Sequence, residues 1–155
     1  MHDQKGYQPP TSPEETSNSD TNKRRILLTG AAGNIGSAFF QHAASMYTFR
    51  LPDRARIDFV DSMHQGHELS QLDVSDLAGC QQACQGIHTV IHLAADPDPD
   101  ADFITSLLSN NILGTYHILR AARDQGCRRV ILASSVQVVS GYASDVQAHS
   151  ASFEK

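Results

Sequence analysis

The sequence has no tryptophan, only three cysteines and no long apolar run. Because no stretch approaches roughly 18 consecutive apolar residues, no transmembrane helix is predicted. The first residues also lack the apolar segment of a secretory signal. Basic residues number 12 against 17 acidic ones, a net charge of −5, which disfavours nucleic acid or an anionic membrane as a partner. The three cysteines cannot all pair, and because no secretory signal is visible, a reducing, cytoplasmic setting is expected.

Enough apolar material is present for one folded domain. Hydrophobic residues make up 40% of the 155 residues and charged residues 19%, which excludes a fully disordered chain. Residues 1–23 differ, since they hold three of the six prolines and only Met1 and Tyr7 as sizeable apolar groups. We predict a disordered tail over 1–23 and a single folded domain over 24–155.

Short apolar strands alternate with helices beyond the predicted tail. Strands are predicted at 26–28, 57–61, 69–72, 89–93 and 129–133, and helices at 34–46, 76–85 and 103–125. Pro52 is expected to limit the first helix. Buried strands joined by helices predict a doubly wound, three-layer α/β fold around a parallel sheet of about five strands.

A glycine-rich segment, Thr-Gly-Ala-Ala-Gly-Asn-Ile-Gly, follows the first strand and opens the first helix. Gly30 allows a tight turn, Gly33 lets the backbone approach a pyrophosphate, and Gly36 lets the helix pack on the strand. The start of that helix, at Asn34 and Ile35, offers free N–H groups to phosphates. The segment could also be only a tight strand–helix turn, but its context favours nucleotide binding.

Asp61 ends the second predicted strand, 25 residues beyond Gly36. An acid at this position accepts hydrogen bonds from the adenosine ribose hydroxyls and repels a 2′-phosphate. No arginine follows Asp61 closely, so NAD is favoured over NADP as the cofactor. The alternative is a strand-end Asp that caps the next turn.

Five ordered motifs resemble those of the extended short-chain dehydrogenase/reductase family, in its branch of NAD-dependent epimerases, dehydratases and uronate-type dehydrogenases. The resemblance covers about residues 25–141. The matching segments are Thr29–Gly36, Leu72-Asp73-Val74, His92-Leu93-Ala94-Ala95, Asn111-Ile112-Leu113-Gly114-Thr115 and Ser134-Ser135.

The resemblance implies a role for each matched segment. It places Asp73 and Val74 at the adenine, and Leu93, Ala94 and Ala95 beside the cofactor. It makes Asn111 the helix asparagine of the site and Ser135 the catalytic serine, which holds the substrate oxygen. It also implies hydride transfer at a hydroxyl-bearing carbon of a sugar or polyol-like substrate.

The sequence departs from that family at the Tyr and Lys that complete its catalytic set. These lie four residues apart on one helix, and no Tyr-x-x-x-Lys occurs in this chain. We therefore expect an N-terminal portion of such an enzyme. The alternative is a catalytically inactive dinucleotide-binding module.

The long helix predicted at 103–125 bears an apolar stripe that consists of Ile104, Leu108, Ile112, Tyr116 and Leu119. Family members often dimerise through this helix, so the resemblance allows a homodimer. Core packing explains the same spacing equally well.

No metal site is predicted. The acids at 96–102 alternate as in calcium loops, but position six of such a loop needs glycine and is Ala101 here. The pairs His64/His67 and Cys80/Cys84 have no matching second pair. His92 is interpreted as a core histidine with satisfied hydrogen bonds, and Cys127 as a packing residue.

Overall fold

The computed structural model describes residues 23–54 and 66–135. Five strands and four helical segments follow one another in this part of the chain. They are β1 (Arg25–Thr29), α1 (Asn34–Ala43), β2 (Thr48–Asp53), β3 (Glu68–Gln71), α2 (Leu77–Cys84), β4 (Thr89–His92), a π-helical segment here called π1 (Phe103–Leu113), α3 (Gly114–Asp124) and β5 (Arg129–Leu132).

All five strands pair in parallel, in the order β3-β2-β1-β4-β5. The order changes direction at β1, where the chain leaves β2 and β3 on one side and adds β4 and β5 on the other. Ligands of doubly wound sheets bind beyond the carboxyl ends of the strands at such a switch point. The predicted α/β class is confirmed, and the switch point lies beside the glycine-rich turn after β1.

The core has two layers because side chains of a strand alternate between the faces of the sheet. Leu27 lies in the layer under α2 and α3, whereas Ile26 and Leu28 lie in the layer under α1. The first layer also contains Leu72, Val74, Cys80, Ala83, Cys84, Ile87, Val90, Ile118, Ala121 and Ala122. The second also contains Ala31, Phe40, Ala43, Phe49, Leu51 and Ile91.

The second strand is not where the sequence placed it. The predicted segment 57–61 lies outside the described residues, and the strand that follows α1 is β2. Phe49 and Leu51 alternate with half-buried Arg50 and fill the α1 layer. Pro52 is tolerated because pairing with β1 ends at Arg50, and Pro52 faces only Ser70 of the edge strand β3.

The helix predicted at 103–125 is divided. Residues Phe103–Leu113 are π-helical, and a regular α-helix begins at Gly114. Four residues of the apolar stripe are exposed in both parts: Ile104 (66%) and Ile112 (50%) in π1, and Tyr116 (54%) and Leu119 (41%) in α3. Packing falls instead to Ile118, Ala121 and Ala122. Core packing of the stripe is therefore wrong for the described residues.

The remaining boundaries agree closely with prediction. Strands β3, β4 and β5 and helix α2 lie within about two residues of their predicted limits. Helix α1 ends at Ala43 rather than Met46 and buries Gly36, Phe40 and Ala43. The predicted tail lies almost wholly outside the described residues. No helix in 23–54 or 66–135 is long and apolar enough to cross a membrane.

Candidate functional site: a cleft at the switch point

The glycine-rich turn lies directly against the loop that follows β4. Gly30 adopts φ +70°, a conformation that side chains rarely allow. A Cβ on Gly30 would stand 2.7 Å from the backbone nitrogen of Ala94. Glycine is thus required here both for the turn and for the contact between the two loops that border the switch point.

The start of α1 is left open to solvent. Its N-cap, Gly33, offers no side chain, and no side chain of the described residues caps the helix. A Cβ on Gly33 would stand 3.3 Å from the Gly30 carbonyl oxygen, and one on Gly36 would clash with that same oxygen. The exposed Asn34 and Ile35 follow. The N–H groups and positive dipole end of α1 suit an anion.

The acid at the end of the second strand is Asp53, which stands 17 residues beyond Gly36. One of its carboxylate oxygens, Oδ2, accepts a hydrogen bond from the backbone N–H of Ala32 at 3.0 Å. Asp61, predicted to end this strand, lies outside the described residues. Asp53 therefore holds the position at the carboxyl edge of the sheet that the sequence analysis assigned to Asp61.

A cleft connects these groups along the carboxyl edge of the sheet. Five predicted site residues besides Gly30 and Gly33 line it: Asp73, Val74, Leu93, Ala94 and Ala95. The other lining residues are Thr29, Pro52, Asp53, Arg54, Leu72, Asp96 and Asn110. Asn34, Ile35, Gly36, Asn111 and Ser135 are not among the lining residues.

Asp73 is fixed in place by its own turn. Its carboxylate Oδ1 accepts the backbone N–H of Ser75 at 2.8 Å. Hydrogen bonds from the side chain and backbone of Ser75 hold the pKa of Asp73 below its usual value, and the charge of Arg54 adds to the effect. Asp73 thus presents a carboxylate, an acceptor group, to the cleft.

Asn111 supports the cleft rather than lining it. Its side-chain Oδ1 accepts the backbone N–H of Asp96 at 2.8 Å, and its Nδ2 donates to the Asp96 carbonyl at 3.0 Å. This pair of bonds holds the loop after β4 to π1. Ser106 donates a further hydrogen bond to the Asp96 carboxylate.

His92, the last residue of β4, is hydrogen-bonded to a threonine at the end of β1 and to a threonine of α3. Its ring Nδ1 lies 2.7 Å from the Thr29 hydroxyl, and its Nε2 lies 3.3 Å from the Thr115 hydroxyl. The Thr29 oxygen also accepts the backbone N–H of Ala94 at 3.3 Å. Burial lowers the pKa of His92 to about 4. The interpretation as a satisfied core histidine is confirmed.

Family profiles agree with this geometry. The profile of the NAD dependent epimerase/dehydratase family matches residues 26–153. The chain belongs to the NAD-dependent epimerase/dehydratase family. It is 41% identical over 123 residues to the NAD-dependent glucose-6-phosphate dehydrogenase of Haloferax volcanii, covering 76% of this chain and 45% of that protein. It is 30% identical over 128 residues to the uronate dehydrogenase of Pseudomonas putida, covering 81% and 46%.

Solved structures of the family superpose on the chain. Uronate dehydrogenase from Agrobacterium tumefaciens has a TM-score of 0.65 at 30% identity, covering 72% of this chain and 41% of that one. A mutant of the same enzyme complexed with NAD has the same TM-score and coverage. The chain described here therefore spans less than half the length of these curated and solved relatives.

Arg54 is one of the lining residues that the sequence did not predict as part of the site. It directly follows Asp53, and its Nη1 donates to the Asn110 side-chain oxygen at 3.4 Å. An arginine next to a strand-end acid is a signal for a nucleotide phosphate, but the strand was predicted at 57–61, and no arginine closely follows Asp61.

Ser135, the serine that matches the family's catalytic position, is exposed three residues beyond the end of β5. The carboxyl end of β5 lies at the same edge of the parallel sheet as the cleft. Residues 136–155 follow it in the sequence and lie outside the described part of the chain.

The groups weighed as metal ligands have other roles. Asp96 and Asp98 each accept the backbone N–H two residues on, at 3.1 and 2.9 Å. Burial raises the pKa of Cys80 and of Cys84 to about 12, which keeps both thiols protonated. His64 lies outside the described residues. Within 23–54 and 66–135, no three potential ligands are grouped to hold a metal ion.

Proposed function

We propose that this chain binds NAD in the cleft at the switch point. The observation that carries the proposal is the open start of α1 at Gly33, beside a glycine turn that abuts Ala94. Both glycines line the cleft, and neither presents a side chain that would keep a pyrophosphate away from the backbone. The helix start would hold the pyrophosphate.

The adenosine half would lie toward β2 and β3. In this proposal Asp53 replaces Asp61 as the acceptor for the ribose hydroxyls, since it ends β2 and lines the cleft. Asp73 and Val74, just beyond β3, would border the adenine. Leu93 and Ala95 would border the other half, after β4.

Charge favours NAD over NADP. The cleft is lined by three carboxylates, those of Asp53, Asp73 and Asp96, against the single guanidinium of Arg54. A 2′-phosphate adds negative charge next to Asp53, so like-charge repulsion weakens its binding.

Bound NAD supplies a hydride acceptor, and the complete family enzyme would oxidise a hydroxyl of a sugar or sugar acid. The relatives support this class of substrate, since they include glucose-6-phosphate and uronate dehydrogenases. Ser135 would donate a hydrogen bond to the substrate oxygen. Asn111 would keep the loop after β4 in the shape that the cleft requires.

A second function, dinucleotide binding without catalysis, is favoured for the 155-residue polypeptide by one observation. None of its four tyrosines is followed four residues later by lysine, so the pair that moves the proton in this family is missing. We expect this polypeptide to bind NAD and to leave sugars unoxidised.

Titration calorimetry and thermal shift with NAD test the cofactor proposal. We expect saturable binding and a rise in Tm with NAD concentration, because a ligand that binds only the folded state stabilises it. Absence of both effects at millimolar NAD would refute it. NADH formation from glucuronate, galacturonate or glucose 6-phosphate by the purified polypeptide would refute the non-catalytic alternative.

Two further proposals concern assembly and location. The exposed stripe, including Ile112, Tyr116 and Leu119, would form a homodimer interface. We expect Leu119→Asp to convert a dimer to monomers in sedimentation velocity, and a monomeric parent protein would refute this.

We also propose a cytoplasmic location, where the free thiols of Cys80, Cys84 and Cys127 stay reduced.

A further inference from the structure

Two cysteines lie at the amino-terminal edge of the sheet, opposite the cleft. Cys84 is the last residue of α2, and Cys127 lies two residues before β5. The connections after α2 and α3 lead into the paired strands β4 and β5, and the backbone N–H of Arg128 donates to the His88 carbonyl at 2.9 Å. The two cysteines are 43 residues apart in the sequence but are neighbours in the fold.

The side chains of these two cysteines contact each other. The Cys127 thiol donates to the Cys84 carbonyl at 3.7 Å, and the two thiols share a hydrogen bond. Backbone bonds hold both positions. The Cys127 N–H donates to the Ala122 carbonyl at 2.9 Å, and the Cys84 carbonyl accepts the Ile87 N–H at 3.2 Å. Joining the two sulfur atoms therefore requires little movement of the backbone.

Cys84 and Cys127 differ in their access to solvent. Cys84 is fully buried, whereas Cys127 is partly exposed, so a small oxidant can reach it. Burial raises the pKa of both thiols, but the hydrogen bond between them opposes the rise at Cys127 and adds to it at Cys84. Because the thiolate is the reactive form, Cys127 is suited to react first and Cys84 second.

We propose that Cys84 and Cys127 form a reversible disulfide when the chain meets hydrogen peroxide, which ties the end of α2 to the segment between α3 and β5. This inference does not depend on the proposed NAD site. In a reducing compartment the pair stays as thiols, and peroxide supplies the oxidant.

The reaction has two steps. The Cys127 thiolate attacks a peroxide oxygen, so that an S–O bond forms, the O–O bond breaks and hydroxide leaves. The Cys84 sulfur then attacks the sulfur of this sulfenic acid, an S–S bond forms, and the oxygen leaves as water with the proton of Cys84. The two cysteines lose two electrons, and the peroxide gains them.

Cys80 provides a matched comparison within the same helix. It lies one turn before Cys84 and is also fully buried. Its thiol donates to the Val74 carbonyl at 3.4 Å. Cys80 therefore has a partner of its own, and we expect it to stay a free thiol.

The test treats the 155-residue chain with hydrogen peroxide, alkylates it in denaturant and maps its peptides by mass spectrometry. We expect a cross-link between Cys84 and Cys127, an alkylated Cys80, and loss of the cross-link after reduction with dithiothreitol. The rate should rise as pH increases from about 7 to about 9, because more thiolate is present. The oxidised chain should melt above the reduced chain, because the cross-link restricts the unfolded state.

Three variants assign the roles. Cys80→Ser, whose hydroxyl can keep the bond to Val74, should form the cross-link at the parent rate within about threefold. Cys84→Ala should form no cross-link, and dimedone should trap a sulfenic acid at Cys127. Cys127→Ser should leave Cys84 unmodified over the same time. Thermal melting of each reduced variant verifies that it is folded.

The parent chain alone can overturn the proposal, whatever the variants do. A cross-link that contains Cys80, a disulfide between two chains, or oxidation of Cys127 beyond the sulfenic acid without a cross-link would each do so. A parent chain that keeps all three thiols under conditions that oxidise free cysteine would also refute it.

Discussion

Helices α1 and α2 flank the same sheet, yet they begin in opposite ways. The Asp76 side chain caps α2 by accepting the Ala78 N–H at 3.0 Å. Arg50 then closes the other end of α2, donating to the carbonyls of Ala83 and Gln85 at 2.7 and 3.0 Å. Gly33 leaves the start of α1 without any such bond from a described side chain.

The difference separates a helix end that serves the fold from one that serves a ligand. A helix start has N–H groups with no partner inside the helix, and most helices satisfy them with a side chain. At α2 the chain provides that partner itself. At α1 the N-cap residue, Gly33, lines the cleft instead, next to the close approach of Gly30 and Ala94.

The largest effect is expected from giving α1 the cap that α2 has. Gly33 has φ −71° and ψ 165°, values that Asp adopts without strain. We expect Gly33→Asp to weaken NAD binding about a hundredfold or more, because its carboxylate takes the N–H groups and repels the pyrophosphate. Calorimetry measures the Kd.

Gly33→Asn is the matched control for that variant. It has the same shape without the charge, so its loss of affinity should be smaller. Both variants place the same Cβ 3.3 Å from the Gly30 carbonyl oxygen, and thermal melting verifies that each is folded. Unchanged NAD affinity in Gly33→Asp would contradict the assignment of the α1 start to the pyrophosphate.

The buried His92, which bonds to Thr29 at the end of β1, should make the stability of the chain depend on pH. The ordinary pKa of histidine is 6.5, and burial lowers that of His92 to about 4. Below pH 6.5 the unfolded chain gains a proton that the folded chain accepts only near pH 4. Stability is thus complete above that window and falls as pH decreases through it, by up to about 3 kcal/mol.

Urea unfolding of the parent chain and of His92→Gln from pH 7 to pH 4 measures this dependence. The variant removes the titrating ring but keeps an amide that can bond to Thr29. The difference in unfolding free energy between the two proteins should shrink as pH falls. A difference that stays constant over the whole range would show that His92 does not titrate as its burial indicates.

The closed end of α2 should matter for stability alone. Arg50 has a side chain that is 12% exposed and also pairs with Glu68 at 2.8 Å. We expect Arg50→Met to lower the unfolding free energy by about 2 kcal/mol, since the last carbonyls of α2 lose a charged donor. NAD affinity should not change.

Glu68→Gln separates the two roles of Arg50. It removes the ion pair with a half-exposed partner and leaves the carbonyl contacts, so it should cost less than about 1 kcal/mol. If both variants destabilise the chain equally, the ion pair rather than the helix end accounts for the effect.

Local signals explain which parts of this comparison could be predicted. The helix predicted at 76–85 begins within one residue of α2, and the glycine spacing identified the turn before α1, because each feature depends on a few neighbouring residues. The alternation of buried strands and helices likewise predicted the parallel sheet.

Features that depend on pairing between distant segments were not predicted. The segment 57–61 is more apolar than 48–53, and Pro52 was expected only to limit the first helix. Only pairing with β1 and β3 shows that the proline lies where its missing N–H does no harm. Because the second strand was predicted at 57–61, Asp53 and Arg54 were not recognised as site residues. No local pattern in the sequence indicated that residues Phe103–Leu113 are π-helical or that the apolar stripe is exposed.

The smallest effect is expected from removing the N-cap side chain of α2, so that its start lacks a cap as the start of α1 does. Asp76→Ala removes the cap without changing the cleft and should cost about 1 kcal/mol of unfolding free energy. Asp76→Asn keeps an acceptor oxygen and should recover most of that loss. Because the start of α2 has no part in the proposed NAD site, neither variant should change the Kd for NAD. A change of more than about threefold in Kd with either variant would mean that the two helix starts are coupled. The start of α2 would then contribute to NAD binding as well as to stability.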